Sequence, residues 1–506
     1  MGMDLTGGMR YARPKARLSV AGLSGGLAGR EHGLSSPSAE MLCWKDPSLR
    51  DRVMNVCRAI ARQGGRGLVV GGGVRDSLLG IPIEDVDIEV YGLSAETLET
   101  LLTSTFPIET VGRSFAVFKV HHWPLSFSLP RRESKQGPGH KAFDVVGDPF
   151  MDYREAASRR DFTINAMMED PLTGERFDLF GGEADLHRRC LRAVSERFME
   201  DPLRVLRGMQ FAARFGLTAD AGTIALATRM TPEGMAGERV FEEWKKLLIK
   251  GRMMSAGLTF LRETGWTRFY PELHALIGCA QEPDWHPEGD VWTHTLHSLD
   301  AFARERVGDE TEDLIVGLAV LCHDFGKPLT SGEEGGRIRS RGHCIAGVEP
   351  TRAFLARLAV PPAIVEAVVP LVVEHLRPRM LYTEQAGDAA IRRLAVRVGR
   401  IDRLVRVARA DFFGRPPMTE TQCPETEWLW ERARALEVQD RAPRPMVMGR
   451  HLLALGLKPG PEFKRILDRC YRAQLEGEFR DEAGGVHYCR RLLESERAAT
   501  SGDGVE

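Results

Sequence analysis

The sequence predicts an α+β head with a small mixed or antiparallel sheet and helices, followed by an all-α remainder. Up to about residue 185, short apolar runs rich in β-branched residues alternate with turns, as expected of a unit built on a small sheet. These runs are GLVVGG, DVDIEVYG, FAVFKV and SFSL. After Leu186, long patterns with apolar residues at helical spacing dominate. The clearest of them cover residues 202–215, 241–249, 313–322 and 389–410.

Length and composition limit the function classes. A chain of 506 residues is too long for one ordinary core and predicts about three to four domains. The formal net charge is only −2, so the overall charge does not indicate a nucleic-acid partner, and RNA could bind only at a local basic surface. Nine cysteines without a Cys-x-x-Cys pair argue against a disulfide framework and predict reduced thiols in the cytoplasm. The apolar stretches, such as residues 314–322, are too short for a membrane span, and no secretory signal precedes Trp44.

Shifts in composition predict the domain boundaries. Residues 1–45 are rich in Gly, Ser, Arg and Pro and are expected to be a disordered extension. Order is expected to begin near Asp46-Pro47, with a helix. The predicted domains are then a head over 46–185, a helical neck over 186–250, a second helical domain over 251–415 and a helical tail over 416–506.

The most informative stretch is LVVGGGVRDSLLGIPIEDVDIEVYG, residues 68–92. Its glycine turn lets backbone N–H groups approach a phosphate closely. The alternation of acidic and apolar residues that follows has the period of a strand, so Asp85 and Asp87 share one face. Two carboxylates at this spacing can chelate Mg²⁺. The plain alternative is an edge strand whose acidic residues face water.

GGGVRD followed by EDVDIEVYG resembles the head domain of the class II tRNA nucleotidyltransferase and bacterial poly(A) polymerase superfamily, and the resemblance continues in order from about residue 50. It implies that Asp85 and Asp87 bind the metal, while Gly72 and Arg75 hold the nucleoside triphosphate. It also implies CTP and ATP as substrates and the 3′ end of tRNA as the partner. In SRRDFTINAM, residues 158–167, Arg160 can donate to phosphate or ribose and Asp161 can accept from a ribose hydroxyl. A surface ion pair is the alternative.

MEDPLRVLRGMQFAARFG, residues 199–216, predicts a helix with Asp201 as its N-cap and Pro202 in its first turn. The resemblance gives Glu200, Asp201 and Arg204 a further role as the amino-acid template that reads the base. An Asp acceptor beside an Arg donor can meet the Watson–Crick edges of cytosine and adenine, and Arg207, one turn further on, can reach the same pocket.

A second ordered series consists of WHPEGDVWTHTLHSLD, LCHDFGKP, RGHC, EHL and RADFFGR. It resembles the HD phosphohydrolase domain of multifunctional bacterial CCA-adding enzymes. The resemblance implies phosphatase and 2′,3′-cyclic phosphodiesterase activity; a degenerate domain that only binds RNA is the alternative. Imidazole with carboxylate suits Mn²⁺ or Ni²⁺ better than Mg²⁺. Lys327 is a candidate for substrate phosphate, and His343 and His375 are candidate accessory groups. The implied metal ligands are His294, His323, Asp324 and Asp411.

The C-terminal half adds two weaker signals. Arginines recur at helical spacing over residues 391–410, which is typical of an RNA-binding surface or of a plain solvated face. Residues 449–479 resemble the family's tail, which implies contact with the tRNA elbow. The function expected from the whole chain is template-independent addition of CCA to the 3′ end of tRNA. Poly(A) polymerase, a partial enzyme adding only CC or only A, and an HD phosphohydrolase with a vestigial head remain open alternatives.

Overall fold

The computed structural model describes the backbone of residues 42–111, 117–135, 143–416 and 420–502. The predicted N-terminal extension lies outside the described residues as far as Met41. Helix α1 begins at Pro47, where Asp46 Oδ1 accepts a hydrogen bond from Ser48 N at 2.8 Å. Such a cap satisfies one of the free donors of the first turn, so the helix starts where the sequence predicts.

The head consists of a sheet flanked by short helices. Its helices are α1 (Pro47–Arg62), α2 (Gly72–Leu78), α3 (Ala95–Thr103), α4 (Tyr153–Ser158) and α5 (Gly182–His187). Its strands are β1 (Arg66–Val70), β2 (Val86–Tyr91), β3 (Ile108–Val111), β4 (Val117–Val120), β5 (Leu125–Ser128), β6 (Arg131–Lys135), β7 (Phe143–Gly147), β8 (Met168–Glu169) and β9 (Arg176–Phe177).

Seven of these strands form one mixed sheet in the order β3-β4-β5-β2-β1-β8-β9, and β6 pairs with β7 separately. All neighbours are antiparallel except β2 and β5, which run parallel and place Asp87 opposite Ser126. Val86, Ile88 and Val90 are buried on β2, so apolar residues at every second position fix which face of this strand turns to the core. The predicted mixed sheet of the head is confirmed.

The rest of the chain is mainly helical, as predicted. Its helices are α6 (Leu203–Phe215), α7 (Ala221–Thr228), α8 (Gly237–Lys250), α9 (Met254–Glu263), α10 (Pro271–His274), α11 (Val291–Arg304), α12 (Glu310–Cys322), α13 (Lys327–Thr330), α14 (His343–Ala346), α15 (Val348–Arg357), α16 (Pro362–Glu374), α17 (Arg377–Thr383), α18 (Asp388–Val398), α19 (Ile401–Phe413), α20 (Pro424–Ala435), α21 (Gly449–Ala454), α22 (Pro461–Glu476) and α23 (Glu482–Gly502). Among the residues described, no helix is long and apolar enough to cross a membrane.

Two sequence predictions for this part are wrong in detail. It is not entirely helical, because β10 (Cys190–Leu191) pairs in parallel with β11 (Thr218–Ala219), and β12 (Ser331–Glu334) forms a hairpin with β13 (Arg337–Ser340). The pattern over residues 389–410 is also two helices rather than one. Gly399 separates them with φ of +70°, a conformation that ends a helix and that glycine adopts without strain.

The arginines of α18 and α19 do not form a free cationic stripe. Arg403 donates to Glu312 through two hydrogen bonds of 2.7 Å, from one helix to another. Other arginines on these helices make similar ion pairs, which are Arg393–Glu476, Arg397–Glu374, Arg400–Glu312, Arg406–Asp313 and Arg409–Glu305. The arginine pattern therefore joins helices to one another, and it does not support the RNA-binding interpretation of this segment.

The neck and the second helical domain share one apolar core. Trp244, on α8 in the neck, is fully buried. The centroid of its ring lies 5.1 Å from the ring centroid of Tyr270 and 5.4 Å from that of Phe354. Edge-to-face aromatic contacts of this kind add to the gain from apolar burial. The tail has a smaller core of its own around Val447, Leu452, Ile466, Cys470 and Cys489.

Candidate active sites

The glycine turn after β1 brings the head backbone close to Arg160. Gly71 has φ of +66°, and a Cβ at this position would lie 3.0 Å from Arg160 Nη1 and 3.4 Å from the carbonyl oxygen of Asn165. Gly72 then begins α2. A residue with a side chain at position 71 would be strained and would meet the guanidinium, so the turn requires glycine here.

Asp85 and Asp87 are both exposed at the start of β2. Burial and the neighbouring charge of Asp87 raise the pKa of Asp85, so the two carboxylates lie close enough to repel each other. Ser126 Oγ donates to Asp87 Oδ1 at 2.5 Å and orients this carboxylate. The next acidic residue of the strand, Glu89, is buried and accepts from Tyr91 Oη at 2.9 Å and from Arg160 Nη2 at 3.4 Å, so it holds this arginine from within the core.

Arg75 is placed differently from the expectation that it would reach out to a triphosphate. Its side chain is 5% exposed, its Nε donates to Asp76 at 2.8 Å, and another of its nitrogens donates to Asn165. The guanidinium also lies against the rings of Phe211 and Phe215, at 5.1 and 4.6 Å from their centroids. Arg75 is thus a buried member of the cleft wall that ties α2 to the neck helix.

The residues predicted to read the base are held in place by their neighbours. Arg207 Nε donates to Asp161 Oδ2 at 2.6 Å, and Arg239 donates to Asp201 at 2.8 Å. Asp201 Oδ1 also accepts from the backbone N–H of Leu203 at 3.0 Å, so it caps α6, although the helix begins one residue later than predicted. Arg204 donates to two main-chain carbonyls at 2.5 and 2.7 Å. These contacts fix the direction of each side chain before a base arrives.

These parts meet in one cleft of about 480 Å³ between head and neck. That volume lies in the range of small-molecule sites. The cleft is lined by Gly72, Arg75, Asp87, Arg160, Asp161, Asp201, Arg204 and Arg207, all of them predicted site residues. Asp85 lies just before β2, which carries Asp87, and is not among the described lining residues of the cleft. Glu200 ends a short 3₁₀ turn, Glu196–Glu200, and is not among the described lining residues, so the structure does not bring it into the cleft.

Several cleft residues were missed by the sequence interpretation. Arg214 lies on α6. Arg239, Lys246 and Lys250 lie on α8, with Lys246 seven residues after Arg239 and Lys250 four residues after Lys246. This spacing puts the three on one helical face. The spacing was present in the sequence, but the apolar residues of the same helix, such as Trp244 and Leu248, dominate its pattern. Three of these four cations already pair with a carboxylate, and Lys250 has no ion pair within the described part of the chain.

The second site lies between helices α11, α12 and α19. His294 Nε2 is 3.1 Å from Asp411 Oδ1 and 3.3 Å from His323 Nε2, and His323 Nε2 is 3.2 Å from Asp324 Oδ2. All four residues are buried. The structure therefore brings the four predicted HD residues together, with the donor atoms of His294, His323 and Asp411 within 4.8 Å of one another.

The residues around this cluster fix the tautomers and charges. His323 Nδ1 donates to Val320 O at 2.7 Å, and His294 Nδ1 donates to Glu288 at 2.8 Å, so each Nε2 points a lone pair into the cluster. Burial alone would raise the pKa of Asp411, but Arg415 and His294 hold it well below its usual range. The sequence interpretation did not single out Glu288 or Arg415.

A cavity of about 210 Å³ opens onto the cluster. Lys327, expected to face substrate, lines it but is 8% exposed and binds Gln281 at 2.6 Å and Asp324 at 2.7 Å. Two glycines allow the close packing: a Cβ at Gly326 would lie 2.0 Å from the carbonyl oxygen of His343, and one at Gly414 would lie 2.2 Å from Ser298 Oγ. The HD site thus depends on segments whose backbones pack closely at Gly326 and Gly414.

Comparison with known proteins agrees with this two-site arrangement. Residues 68–192 match the poly(A) polymerase head domain family, and residues 291–407 match the HD domain family. The multifunctional CCA protein of Xanthomonas campestris pv. campestris strain B100 is 37% identical over 393 residues, which cover 74% of this chain and 92% of the relative. That of Laribacter hongkongensis strain HLHK9 is 38% identical over 370 residues, 71% of this chain and 87% of the relative.

Solved structures agree in fold. The crystal structure of the Bacillus stearothermophilus CCA-adding enzyme in complex with CTP aligns with a TM-score of 0.62 at 24% identity, over 90% of this chain and 100% of that one. The Thermotoga maritima CCA-adding enzyme complexed with tRNA-CCA aligns with a TM-score of 0.55 at 18% identity, over 88% and 96%. The resemblance inferred from the sequence motifs is confirmed by the relatives. The chain therefore belongs to the family of multifunctional CCA proteins, as a nucleotidyltransferase with a poly(A) polymerase head and an HD domain.

Proposed function

We propose that this chain adds CCA to the 3′ end of tRNA in the cytoplasm, taking CTP and ATP in the cleft between head and neck. The observation that carries the proposal is that one cleft joins a head carboxylate, Asp87, to the neck residues Asp201, Arg204 and Arg207. A metal-binding group and a base-reading group in the same cavity are what a polymerase without a nucleic-acid template requires. The solved CCA-adding enzymes with CTP and with ATP support these substrates.

The carboxylates of the head fit a hard divalent cation. Asp85 and Asp87 are both exposed. Burial first, and then the charge of Asp87, raise the pKa of Asp85, and a cation bound between the two carboxylates would relieve their repulsion. Mg²⁺ bound there would orient the triphosphate and favour loss of the proton from the primer 3′ hydroxyl. Ser126 keeps Asp87 in its orientation through the hydrogen bond to Oδ1. Arg160 at the glycine turn is placed to bind phosphate oxygens.

The neck residues choose the base. Asp201 offers an acceptor and Arg204 a donor fork, which complement the exocyclic amine and the ring nitrogen of cytosine and of adenine. Uracil and guanine present the opposite polarity, and each buried group left unpaired costs about 1–3 kcal/mol. Since Arg204 also binds two main-chain carbonyls, its guanidinium is held in a fixed orientation. A fixed fork supports selection between bases better than a mobile one.

The test is incubation of the purified protein with tRNA that lacks its terminal CCA, with each nucleotide alone and with CTP and ATP together. We expect two C additions with CTP alone and a complete CCA end with both. Unlimited A addition would indicate a poly(A) polymerase, and addition of only CC or only A would indicate a partial enzyme. Asp87→Asn should abolish addition, whereas Asp51→Asn, on the exposed face of α1, should leave it unchanged.

We infer a second activity, metal-dependent hydrolysis of phosphoesters, at the HD cluster. It is favoured by three buried donors, from His294, His323 and Asp411, that converge beside a cavity lined by Lys327 and Arg415. Imidazole and carboxylate donors together suit Mn²⁺ or Ni²⁺. Hydrolysis of a 2′,3′-cyclic nucleotide and of p-nitrophenyl phosphate in the presence of each ion tests this activity.

Two variants separate the sites. Asp85→Ala should abolish nucleotide addition and leave phosphohydrolase turnover intact, and Asp411→Ala should do the reverse. Loss of both activities in either variant contradicts the two-site assignment. An inactive head beside an active HD site would establish the alternative of a vestigial head.

A further inference from the structure

An exposed tryptophan lies where two cavities of the HD domain adjoin. The cavity that opens onto the HD cluster, about 210 Å³, shares Glu282, Trp285, Ile338 and Ser340 with an outer cavity of about 260 Å³. Trp285 is 52% exposed, although burial of an indole is among the largest apolar gains that a fold can make. Each cavity alone is smaller than the roughly 300–1,000 Å³ of common small-molecule sites. A ligand the size of a nucleotide would therefore occupy both cavities and pass along the indole.

The turn that carries Trp285 is tied both to the HD cluster and to the hairpin β12–β13. The backbone N–H of Trp285 donates to Glu282 O at 3.0 Å. Glu282 Oε2 in turn accepts from a backbone N–H of β13 at 2.9 Å. On the other side, His286 Nδ1 lies 2.8 Å from Glu288 Oε1, the oxygen that also contacts His294 Nδ1. The indole is therefore held in a fixed place relative to the cluster, as a preorganised binding surface requires.

The indole presents a flat apolar surface beside a positive charge. The guanidinium of Arg379, on α17, lies over the Trp285 ring at 4.8 Å from its centroid. One guanidinium covers one face of a ring, and about half of the residue remains open to solvent. Every nucleobase has a π face that stacks on an aromatic side chain, and a neighbouring arginine adds cation–π attraction. An exposed indole with an arginine beside it is thus suited to stack a base.

The outer cavity is lined by arginines of the hairpin. Arg337 and Arg339 on β13, and Arg341 just after it, recur at every second position and so share one face. Their carboxylate partners are Asp284, 3.6 Å from Arg337, and Glu334, which the other two share at 3.8 and 3.2 Å. Exposed ion pairs of this kind contribute little to stability, so an RNA phosphate can take the place of a carboxylate at small cost.

We propose that Trp285 and the hairpin form an RNA-binding subsite of the HD domain. The terminal base of an RNA strand stacks on the indole, which leaves its phosphoester in the inner cavity. The phosphate on the 5′ side of that nucleotide then lies against the hairpin arginines. With Arg379, four arginines meet three carboxylates, Glu282, Asp284 and Glu334, so the region retains a net attraction for the strand. The proposal rests on the phosphohydrolase activity inferred above, and it names the part of the substrate that lies outside the metal cluster.

Substrates with and without a base test the indole. The unmodified protein and Trp285→Ala are assayed on 2′,3′-cyclic AMP and on glycerol cyclic phosphate, which has the same ring phosphate but no base. We expect KM for the nucleotide to rise by about 5- to 150-fold in the variant, the range that loss of a stacking ring produces, with kcat unchanged. Both proteins should hydrolyse glycerol cyclic phosphate equally well.

Two further variants control this comparison. Trp285→Phe keeps a ring and should restore most of the affinity for the nucleotide. Leu329→Ala changes another exposed apolar residue, 67% exposed, and should leave both substrates unaffected. Equal losses on both substrates in Trp285→Ala, or an unchanged KM for the nucleotide, would overturn the stacking role.

A short RNA tests the hairpin. An oligonucleotide that ends in the same cyclic phosphate is compared with the mononucleotide in the double variant Arg337→Gln, Arg339→Gln. We expect KM for the oligonucleotide to rise and its dependence on salt to weaken, because a phosphate contact is lost. KM for the mononucleotide, which has no phosphate on the 5′ side, should not change. An unchanged KM for the oligonucleotide would overturn the role of the hairpin and would identify a free nucleotide as the ligand.

Fluorescence separates failure of the subsite from failure of the hydrolytic activity. A short oligoadenylate ending in a 3′ hydroxyl is titrated into the full-length protein, and the emission of its eight tryptophans is followed. We expect a saturable decrease that is smaller in Trp285→Phe, because stacking quenches this indole. An equal decrease in both proteins would overturn the subsite, whether or not the protein hydrolyses any substrate. A decrease that depends on Trp285, in a protein that hydrolyses neither substrate, would support the subsite and overturn only the activity.

Discussion

Gly326→Ala should separate the two activities of the chain. Gly326 follows the His323-Asp324 pair and has φ of −84° and ψ of −16°, which alanine adopts without strain. Its added Cβ would lie 2.0 Å from the carbonyl oxygen of His343 and 2.6 Å from Gly347 N. Real Cβ atoms essentially never approach within 3.0 Å, so the backbone at His343 must move by at least 1.0 Å. The effect is therefore steric.

The size of that movement sets the expected result. Overpacking of this kind costs about 1–3 kcal/mol of stability. A displacement of about 1 Å in a positioned catalytic group costs on the order of 100-fold in rate. Because His343 lies at the HD cavity, we expect kcat/KM for phosphoester hydrolysis to fall by about that factor. Nucleotide addition should stay within about twofold, since the cleft is built by head and neck.

The assay compares Gly326→Ala with Gly332→Ala. Gly332 lies in the nearby hairpin, has no atom within 4 Å of an added Cβ and has no positive φ, so its substitution should be silent. Both variants are measured for hydrolysis of a 2′,3′-cyclic nucleotide, for CCA addition and for thermal unfolding. Unchanged hydrolysis at an unchanged unfolding temperature in Gly326→Ala would refute the reasoning, because the tight packing of α14 would then not position the site.

Arg204→Ala leaves two main-chain carbonyls and the base edge without donors. An unpaired group costs about 1–3 kcal/mol, so kcat/KM for CTP should fall by about 5- to 150-fold. In assays with a single nucleotide, the preference for CTP over UTP should become smaller. Burial would raise the pKa of Asp161, but Arg207 outweighs it and the pKa is lowered. The ionised carboxylate therefore stabilises the fold above its ordinary pKa of 3.8, and this stabilisation is lost as the pH falls through the lowered pKa of the folded protein. The unmodified protein should unfold at a higher temperature than Asp161→Asn at neutral pH, and this difference should become smaller in acid. Glu312→Gln should lower the free energy of unfolding by roughly 1–3 kcal/mol, because it weakens the hydrogen bonds to Arg403. Its affinity for RNA, measured by filter binding, should be unchanged.

Local patterns predicted much of the head, whereas the residues of the HD cluster were implied by the family resemblance. The alternation from Asp85 to Val90 identified β2 and its buried face, and Asp46-Pro47 identified the start of α1. In each case the cause is local, since strand period and helix capping depend on neighbours in sequence. The hairpin at Ser331 was missed because its strands are short, polar and exposed. The break at Gly399 carried a usable signal, a glycine inside a helical pattern.

The role of Arg75 depends on contacts with residues far apart in sequence, which its local pattern could not predict. Arg75 was expected to bind phosphate because it lies in the first turn after a glycine loop. It is instead buried against Phe211 and Phe215, more than 130 residues away, and hydrogen-bonded to Asn165. The sequence pattern around an arginine is the same whether its guanidinium faces a ligand or packs into the wall of a cleft. Only the packing of α2 against the neck helix distinguishes the two roles.

The same reasoning explains why the cationic surface of this chain lies where it does. Each arginine from Arg397 to Arg409 on the paired helices has an acidic partner on a neighbouring helix, so its charge is already balanced and additional phosphate would have to displace a carboxylate. In the cleft, Lys246 and Lys250 lie on a wall that also carries Arg214. Lys246 is already paired with Glu243 at 2.7 Å and Arg214 with Asp76 at 3.4 Å, whereas Lys250 has no ion pair within the described part of the chain, so an anion can add an interaction with Lys250 without displacing a carboxylate. The density of arginines along the sequence therefore does not report where unbalanced positive charge lies in the fold.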